Sequence, residues 1–351
     1  MSAALETQGL TRRFGAFVAV DAVSLRVEPG ARHALIGPNG AGKTTFVNLL
    51  SGALAASAGQ VSLLGQDVSA APQHLRVRLG LARTFQVNQL FAELTPMQAI
   101  TMALAERAGL GAIWWRPLFG MAGLRAEAQQ LLDTVRLPDA ARHQRTASLP
   151  YGRQRLLEIA LALAMRPRVL LLDEPLSNLD AALREELGAE IAEIAQQSGL
   201  TVILVTHDPS EALALSDRVG VMHGGVLQQV GTPEELYASP RNLRVARCTG
   251  PLGELPAARR GGRLHVGGAD LGPSEGPDGP VALAFRPEEA RFVDAGGLPC
   301  AVLGRLYRGA SARWRVRVDV GATSAELVLD TPADAPAGAG LHFTRTRALE
   351  A

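Results

Sequence analysis

The sequence predicts an α/β fold, a mostly parallel sheet packed between helices, followed by a smaller β-rich domain. Three observations predict it. Short, wholly apolar runs, Ala34-Leu35-Ile36 and Val169 to Leu172 among them, read as strands, and the run of four suits a strand buried on both faces in a parallel sheet. A run of helical period places Leu156, Leu157, Ala160, Leu163 and Ala164 on one face. Near the C-terminus, Trp314, Val316, Val318 and Val320 alternate with Arg313, Arg315, Arg317 and Asp319, the period of a half-buried strand. The 351 residues suit two or three domains of roughly 150 residues each. The expected division is 1–245 and 246–351.

Composition excludes several classes. The chain carries 35 Lys+Arg against 34 Asp+Glu, a net of +1, which argues against a strongly basic nucleic-acid binder. An apolar share of 47% is too high for disorder. The longest uninterrupted apolar run, Ile159 to Met165, is seven residues, far below the ~18 a membrane-spanning helix needs. No charged start followed by an apolar run suggests a secretion signal. Two cysteines, Cys248 and Cys300, make no disulfide framework, so the expectation is an intracellular, soluble chain. One lysine, Lys43, stands among 34 arginines. A compact ammonium on a flexible stem is not interchangeable with a planar guanidinium where a phosphate must be reached through a tight loop.

Lys43 lies in such a loop. Gly37-Pro38-Asn39-Gly40-Ala41-Gly42-Lys43-Thr44, with Thr45 after it, follows the Walker A spacing between the strand at 34–36 and a helix carrying Phe46, Leu49 and Leu50. Strand, glycine loop and helix aim backbone N–H groups and a helix N-terminus at a nucleotide's terminal phosphates. Lys43 would neutralise phosphate oxygens and Thr44 would hold Mg²⁺, so ATP and Mg²⁺ are the expected ligands. About 130 residues downstream, Arg168-Val-Leu-Leu-Leu-Asp173-Glu174 is an apolar strand ending in two carboxylates, the Walker B pattern. Asp173 would reach the metal, and Glu174 would orient or deprotonate the attacking water.

Between these halves stands Ser148-Leu149-Pro150-Tyr151-Gly152-Arg153, heading the helical run described above. With it, the chain resembles an ATP-binding cassette (ABC) transporter ATPase over about residues 5–245. The resemblance implies a RecA-like core with a helical subdomain at about 87–165. It implies that Phe14 stacks on adenine, although Phe17 is close enough to serve instead. Gln86, in Arg83-Thr84-Phe85-Gln86, takes the part of the glutamine that reaches metal and water. Leu149 to Arg153 is the signature, Ser177-Asn178-Leu179-Asp180 the D-loop, and His207 the switch histidine that holds the γ-phosphate. It further implies a second ABC ATPase subunit, identical or related, whose signature closes over the nucleotide bound here. The signature departs from the common Leu-Ser-Gly-Gly-Gln. Pro150 removes a hydroxyl donor but is tolerated in a first helical turn, and Arg153 could add charge toward the same phosphate.

The chain reads as a mosaic. Arg83 to Gln86, the long insert with Trp114 and Trp115, and Leu149 to Gly152 with Leu157 to Ala160 resemble branched-chain amino acid importer ATPases. Glu174 to Ala181, Val205-Thr206-His207-Asp208 through Glu211-Ala212-Leu213, and Gly231 to Tyr237 resemble the sugar, polyamine and ferric-ion importers, the last reading as a helix start with Thr232 and Glu235 as its capping box and Pro233 at the first position. If the helical subdomain selects partners, an amino-acid-like substrate is expected. Trp114-Trp115 suits either a membrane-subunit contact or packing within the insert.

From Gly250 to Pro280 glycine and proline rise, as in a linker with short hairpins. Val281 to Glu288 and Gly304 to Gly309 resemble the transport-associated OB-fold (TOBE) domain of the second importer group. OB folds also bind oligonucleotides, but no aromatics interleave with the charges on the face that carries Arg313, Arg315 and Arg317, so a solvated strand face is expected and no nucleic acid. The resemblance thus implies an importer ATPase on the cytoplasmic side of the inner membrane. Its expected partners are integral membrane permease subunits and a periplasmic or lipoprotein substrate-binding protein. A soluble ABC ATPase acting on DNA or ribosomes is the rival. It fits less well, because one Walker A motif, a gap of about 130 residues and no sustained heptads are seen.

Overall fold

A computed structural model describes residues 2–84, 90–110, 122–177, 179–294, 297–320, 323–332 and 340–350. Gln86, Trp114, Trp115 and Asn178 lie outside the described residues. The chain divides into two units, Met1–Glu234 and Glu235–Ala351.

In the first unit, β1 (Leu5–Phe14) and β2 (Phe17–Val27) form a hairpin. Then come β3 (Arg32–Ile36), α1 (Lys43–Ser51), β4 (Ala58–Leu63), β5 (Gln66–Asp67), α2 (Gln73–Arg78) and β6 (Leu81–Arg83). A helical stretch follows: α3 (Pro96–Arg107), α4 (Ala122–Thr134), α5 (Asp139–Arg142) and α6 (Tyr151–Ala164). β7 (Val169–Asp173), α7 (Ala181–Ser198), β8 (Thr201–Val205), α8 (Pro209–Leu215), β9 (Arg218–His223) and β10 (Val226–Gly231) complete it, with α9 (Pro233–Ala238) crossing into the second unit.

Two sheets result, an antiparallel one ordered β2-β1-β4-β5 and a six-stranded one ordered β10-β9-β3-β8-β7-β6. In the second, β9, β3, β8, β7 and β6 run parallel. Every residue of β7 and β8 is buried, which explains their unbroken apolar runs. Phe46, Leu49 and Leu50 of α1 fill one core with Leu5, Leu10, Val61, Val169 and Ile203. Burial of Phe46 alone is worth about 2–3 kcal/mol. At the start of α3, Thr95 accepts from the Gln98 N–H and the Gln98 side chain from the Thr95 N–H, a reciprocal cap with Pro96 at the first position.

The second unit is β-rich, consistent with a TOBE-like domain. After α10 (Leu243–Cys248) come β11 (Gly253–Arg260), β12 (Arg263–Val266), β13 (Ala269–Pro273), β14 (Gly279–Phe285), β15 (Ala290–Val293), β16 (Leu298–Arg308), β17 (Ser311–Val320), β18 (Thr323–Pro332), β19 (Gly340–Phe343) and β20 (Arg347–Leu349). They form two antiparallel sheets, β13-β12-β11-β14-β20 and β15-β19-β16-β17-β18. The glycine-rich stretch expected as a linker with short hairpins holds the hairpins β11-β12 and β12-β13 within an ordered sheet. Its glycines make the turns: Gly261-Gly262 and Gly267-Gly268 all have positive φ, from 55° to 92°, as two-residue hairpin turns require. Trp314, Val316, Val318 and Val320 face the core. Outward, Arg313 is held by Asp330 at 2.6 and 2.8 Å, and Arg317 stands opposite Glu326.

Candidate active site

Three neighbouring parallel strands end together. Leu35 of β3 pairs with Val205 of β8, and Val205 with Asp173 of β7. With adjacent strands about 4.8 Å apart, the three ends fall within about 10 Å of one another. Two bonds extend the alignment: the Glu174 N–H donates to the Val205 carbonyl at 2.8 Å, and the Thr206 N–H to that of Leu35 at 3.2 Å. The Walker A loop, both Walker B carboxylates and His207 thus emerge on one rim, where ligands of open α/β sheets bind.

The loop's glycines are sterically obligatory. A Cβ on Gly37 would strike the Met222 carbonyl and one on Gly42 the Ala19 carbonyl, and Gly40 and Gly42 have φ of 79° and 97°. Lys43 is 7% exposed, and its Nζ donates to the Gly37 and Pro38 carbonyls at 2.6 and 3.1 Å, so the ammonium lies inside the loop. The Ala41 N–H donates to the Pro38 carbonyl. Asn39 and Thr44 are exposed and Thr45 half-buried at the N-terminus of α1, whose first N–H groups have no carbonyl of their own helix to bond. Thr44 and Asp173 offer hard oxygen donors of the type Mg²⁺ takes together with substrate phosphates, so the donor set fits that ion.

Asp173 is 2% exposed and paired with Arg83 of β6, Nη2 to Oδ2 at 2.8 Å. Arg83 also donates to Asn48 Oδ1 at 2.6 Å and Ser51 Oγ at 3.3 Å on α1. Sequence reasoning gave Arg83 no part beyond its place before Gln86. Its only signal was position, two residues past the start of a strand that turns out to pair with Walker B.

Glu174 has φ 48°, the left-handed region, at a cost of roughly 1 kcal/mol for a residue with a side chain. The turn holds it there. Besides its own N–H bond, its carbonyl accepts from the Ser177 N–H and Oγ at 3.2 and 2.9 Å. Glu174 Oε1 lies 3.3 Å from His207 Nδ1. The His207 side chain is 55% exposed, so it is not a packed core histidine. Behind it the Thr206 hydroxyl donates to Glu211, a buried carboxyl whose pKa burial raises. Thr206 and Glu211 stood in the sequence inside a family-like stretch, with no role read for either.

The signature segment sits at the start of α6. Pro150, expected within the first turn, instead occupies the cap position, its carbonyl accepting from Arg153 and Gln154. Tyr151 and Gly152 hold the first two helical positions, where N–H groups lack intrahelical partners. Leu149 is buried and Arg153 half-buried. Gly152 lies against Leu183 and Leu187 of α7, where a Cβ would stand 3.2 Å from each. Asp180 caps α7 through the Leu183 N–H at 2.9 Å. Phe14 and Phe17 face each other across the β1–β2 turn, 47% and 65% exposed, so neither packs in the core.

Comparisons with known proteins show the family. The "ABC transporter" family model matches residues 20–177. The Fe(3+) ions import ATP-binding protein FbpC of Rhizobium etli is 36% identical over 90% of this chain and 88% of its own length. The sulfate/thiosulfate import ATP-binding protein CysA 2 of Chromobacterium violaceum is 38% identical over 90% and 85%. Among solved structures, the ADP conformation of MJ1267, an ATP-binding cassette of an ABC transporter, superposes with a TM-score of 0.61 at 25% identity, covering 70% of this chain and 98% of that one.

Proposed function

Because this chain belongs to the ABC transporter ATP-binding subunits of importer type, we propose that two such cassettes clamp ATP between them and power uptake of an inorganic ion, ferric iron or sulfate, through separate membrane permeases. It is an ATPase subunit that works with permease components. Relatives matching about nine-tenths of the chain are named for ferric-ion and sulfate import, and they lend no support to the amino-acid-like substrate expected from the helical segment. Among the described residues no helix is long and apolar enough to cross a membrane. That suits a peripheral subunit, on the cytoplasmic face, served by a separate substrate-binding protein.

The observation that carries the mechanism is Glu174 facing His207 at 3.3 Å on the rim beside the glycine loop. Lys43 and the N-terminus of α1 bind the β- and γ-phosphates. Thr44, Asp173 and Gln86 would hold Mg²⁺, which supplies neutralising charge on those phosphates. Glu174 accepts a proton from the attacking water as its oxygen bonds to the γ-phosphorus and the bond to the bridging oxygen of ADP breaks. His207 bonds the γ-phosphate and keeps Glu174 oriented. Leu149 to Arg153 of the second cassette present the start of α6 to the same phosphate. Phosphate release removes that attraction and opens the pair.

Glu174→Gln keeps shape and loses basicity. ATP turnover should fall at least about 100-fold, while nucleotide still binds and ATP drives the variant into a stable dimer. Turnover near the wild-type rate would end the assignment of Glu174. For the cargo, ATPase activity of the complex purified with its permeases should rise with a ferric- or sulfate-loaded binding protein and not with an amino-acid-loaded one.

A further inference from the structure

Asp173 has a second role to fill before it can act on a metal. Its carboxylate must stay aimed while almost wholly out of water, 2% exposed at the end of an all-buried strand. A buried carboxylate with no partner relaxes by turning toward water. Arg83 holds it in place. Its guanidinium takes one carboxylate oxygen, Oδ2, at 2.8 Å. Its other arm is fixed on Asn48 and Ser51 of α1, the helix that begins with Lys43 and Thr44. Its backbone belongs to β6, paired with β7 through Arg83 and Leu171. One planar fork therefore ties the metal-shell carboxylate to the phosphate-loop helix, a geometry lysine cannot reproduce.

We propose that Arg83 is a positioning residue for Asp173, holding its carboxylate in register with Thr44 so that the two oxygens meet the metal of the bound nucleotide together. The inference rests on the reading of Asp173 as a metal-shell ligand. Losing the cation removes some repulsion from an incoming metal, but losing the partner of a ligating carboxylate outweighs this, costing about 10- to 100-fold in metal affinity.

The test is binding, not turnover. A fluorescent N-methylanthraniloyl-ATP is titrated onto the full chain in EDTA and in rising MgCl₂. Arg83→Ala should raise the Mg²⁺ concentration for half-maximal enhancement about 10-fold or more, with affinity in EDTA changed less than about twofold. Arg83→Lys should shift it by an intermediate amount, and Asn48→Ala by less in the same direction. A folded Arg83→Ala with the wild-type Mg²⁺ midpoint overturns the proposal, as does equal weakening with and without Mg²⁺, which marks a collapsed loop. Should Arg83→Ala fail to fold, Arg83→Lys decides by the same criterion. Asp173→Asn separates the two levels. If it leaves the midpoint unmoved, the metal reading of Asp173 fails and the inference with it; if it moves the midpoint and Arg83 variants do not, the inference alone falls.

Discussion

Arg83 and Arg286, one in each unit, are both held inside the protein and satisfied in opposite ways. Arg83 meets a carboxylate, Asp173, at the end of a strand on the rim of the candidate site. Arg286 is 0% exposed and meets neutral oxygens: the carbonyls of Ala246, Gly250, Pro251 and Tyr237 and the hydroxyl of Thr249, at 2.8–3.2 Å, with the Tyr237 ring 4.1 Å from its centre. Burial lowers its pKa, yet an arginine keeps its charge, and these five bonds, all from the two terminal nitrogens, surround it while Nε has no partner. A charge paired with a carboxylate serves a partner that must later engage a ligand. A charge wrapped in carbonyls ties chain to chain and nothing more. The first unit therefore gathers strain and charge at its rim, as in Glu174 at φ 48°, while the second directs its buried polarity to holding the segment 237–251 against β14.

The sharpest way to break that contrast is Arg286→Met. Similar in length but without donors, methionine takes a donor from the carbonyls of Gly250, Pro251 and Tyr237, while that of Ala246 keeps the Thr249 N–H and hydroxyl, at a cost of about 3 kcal/mol. Hydrogen exchange of the β14 and β17 amides should accelerate accordingly, while nucleotide affinity stays within about twofold of wild type. If affinity falls in step with protection, Arg286 is not merely structural.

His33 sharpens the same contrast within the first unit, where a titratable group sits in the sheet and not at the rim. It is 1% exposed on β3, its Nε2 has no hydrogen-bond partner, and burial, then the Arg218 charge, lower its pKa from 6.5 to about 4. A folded-state pKa below the unfolded one means the unfolded chain binds the proton first. Stability is complete above about pH 6.5 and lost as pH falls toward 4, by about 2 kcal/mol at pH 5. Comparing wild type with His33→Leu by urea unfolding at pH 7 and pH 5 isolates this part. Equal acid losses in both proteins would show that His33 does not drive it.

The sequence displayed most of the rim and little of what supports it. Walker A, Asp173, Glu174 and His207 were legible because a strand end, a glycine loop and a helix start need particular residue types at fixed spacing. Arg83, Asn48, Thr206 and Glu211 were not, because what matters about them is which strand lies beside which. The order β3-β8-β7-β6 follows from packing across more than a hundred residues, and no local pattern encodes it. The stretch after Gly250 showed its hairpin turns but not the sheet they join, for the reverse reason. Glycine and proline mark turns whether or not strands lie between them, and strands as short as Arg263–Val266 carry too few residues to show their period.

The smallest effect concerns the adenine end of the site. Ala19 of β2 passes over the phosphate loop, its carbonyl where a Cβ of Gly42 would be, so the hairpin tip carrying Phe14 and Phe17 lies close along the chain from that point. Both rings are exposed, but Phe14 has Arg12 stacked on it, 4.6 Å from guanidinium carbon to ring centre. A cation on one face restrains the ring and leaves the other for a base. Phe14→Ala should therefore weaken ATP binding by about 1 kcal/mol, five- to tenfold, with pyrophosphate binding unaltered. A ring already half in water contributes little to folding, so the melting temperature should barely move. If Phe17→Ala produces the loss and Phe14→Ala does not, the base stacks on Phe17, and the guanidinium over Phe14 only covers apolar surface.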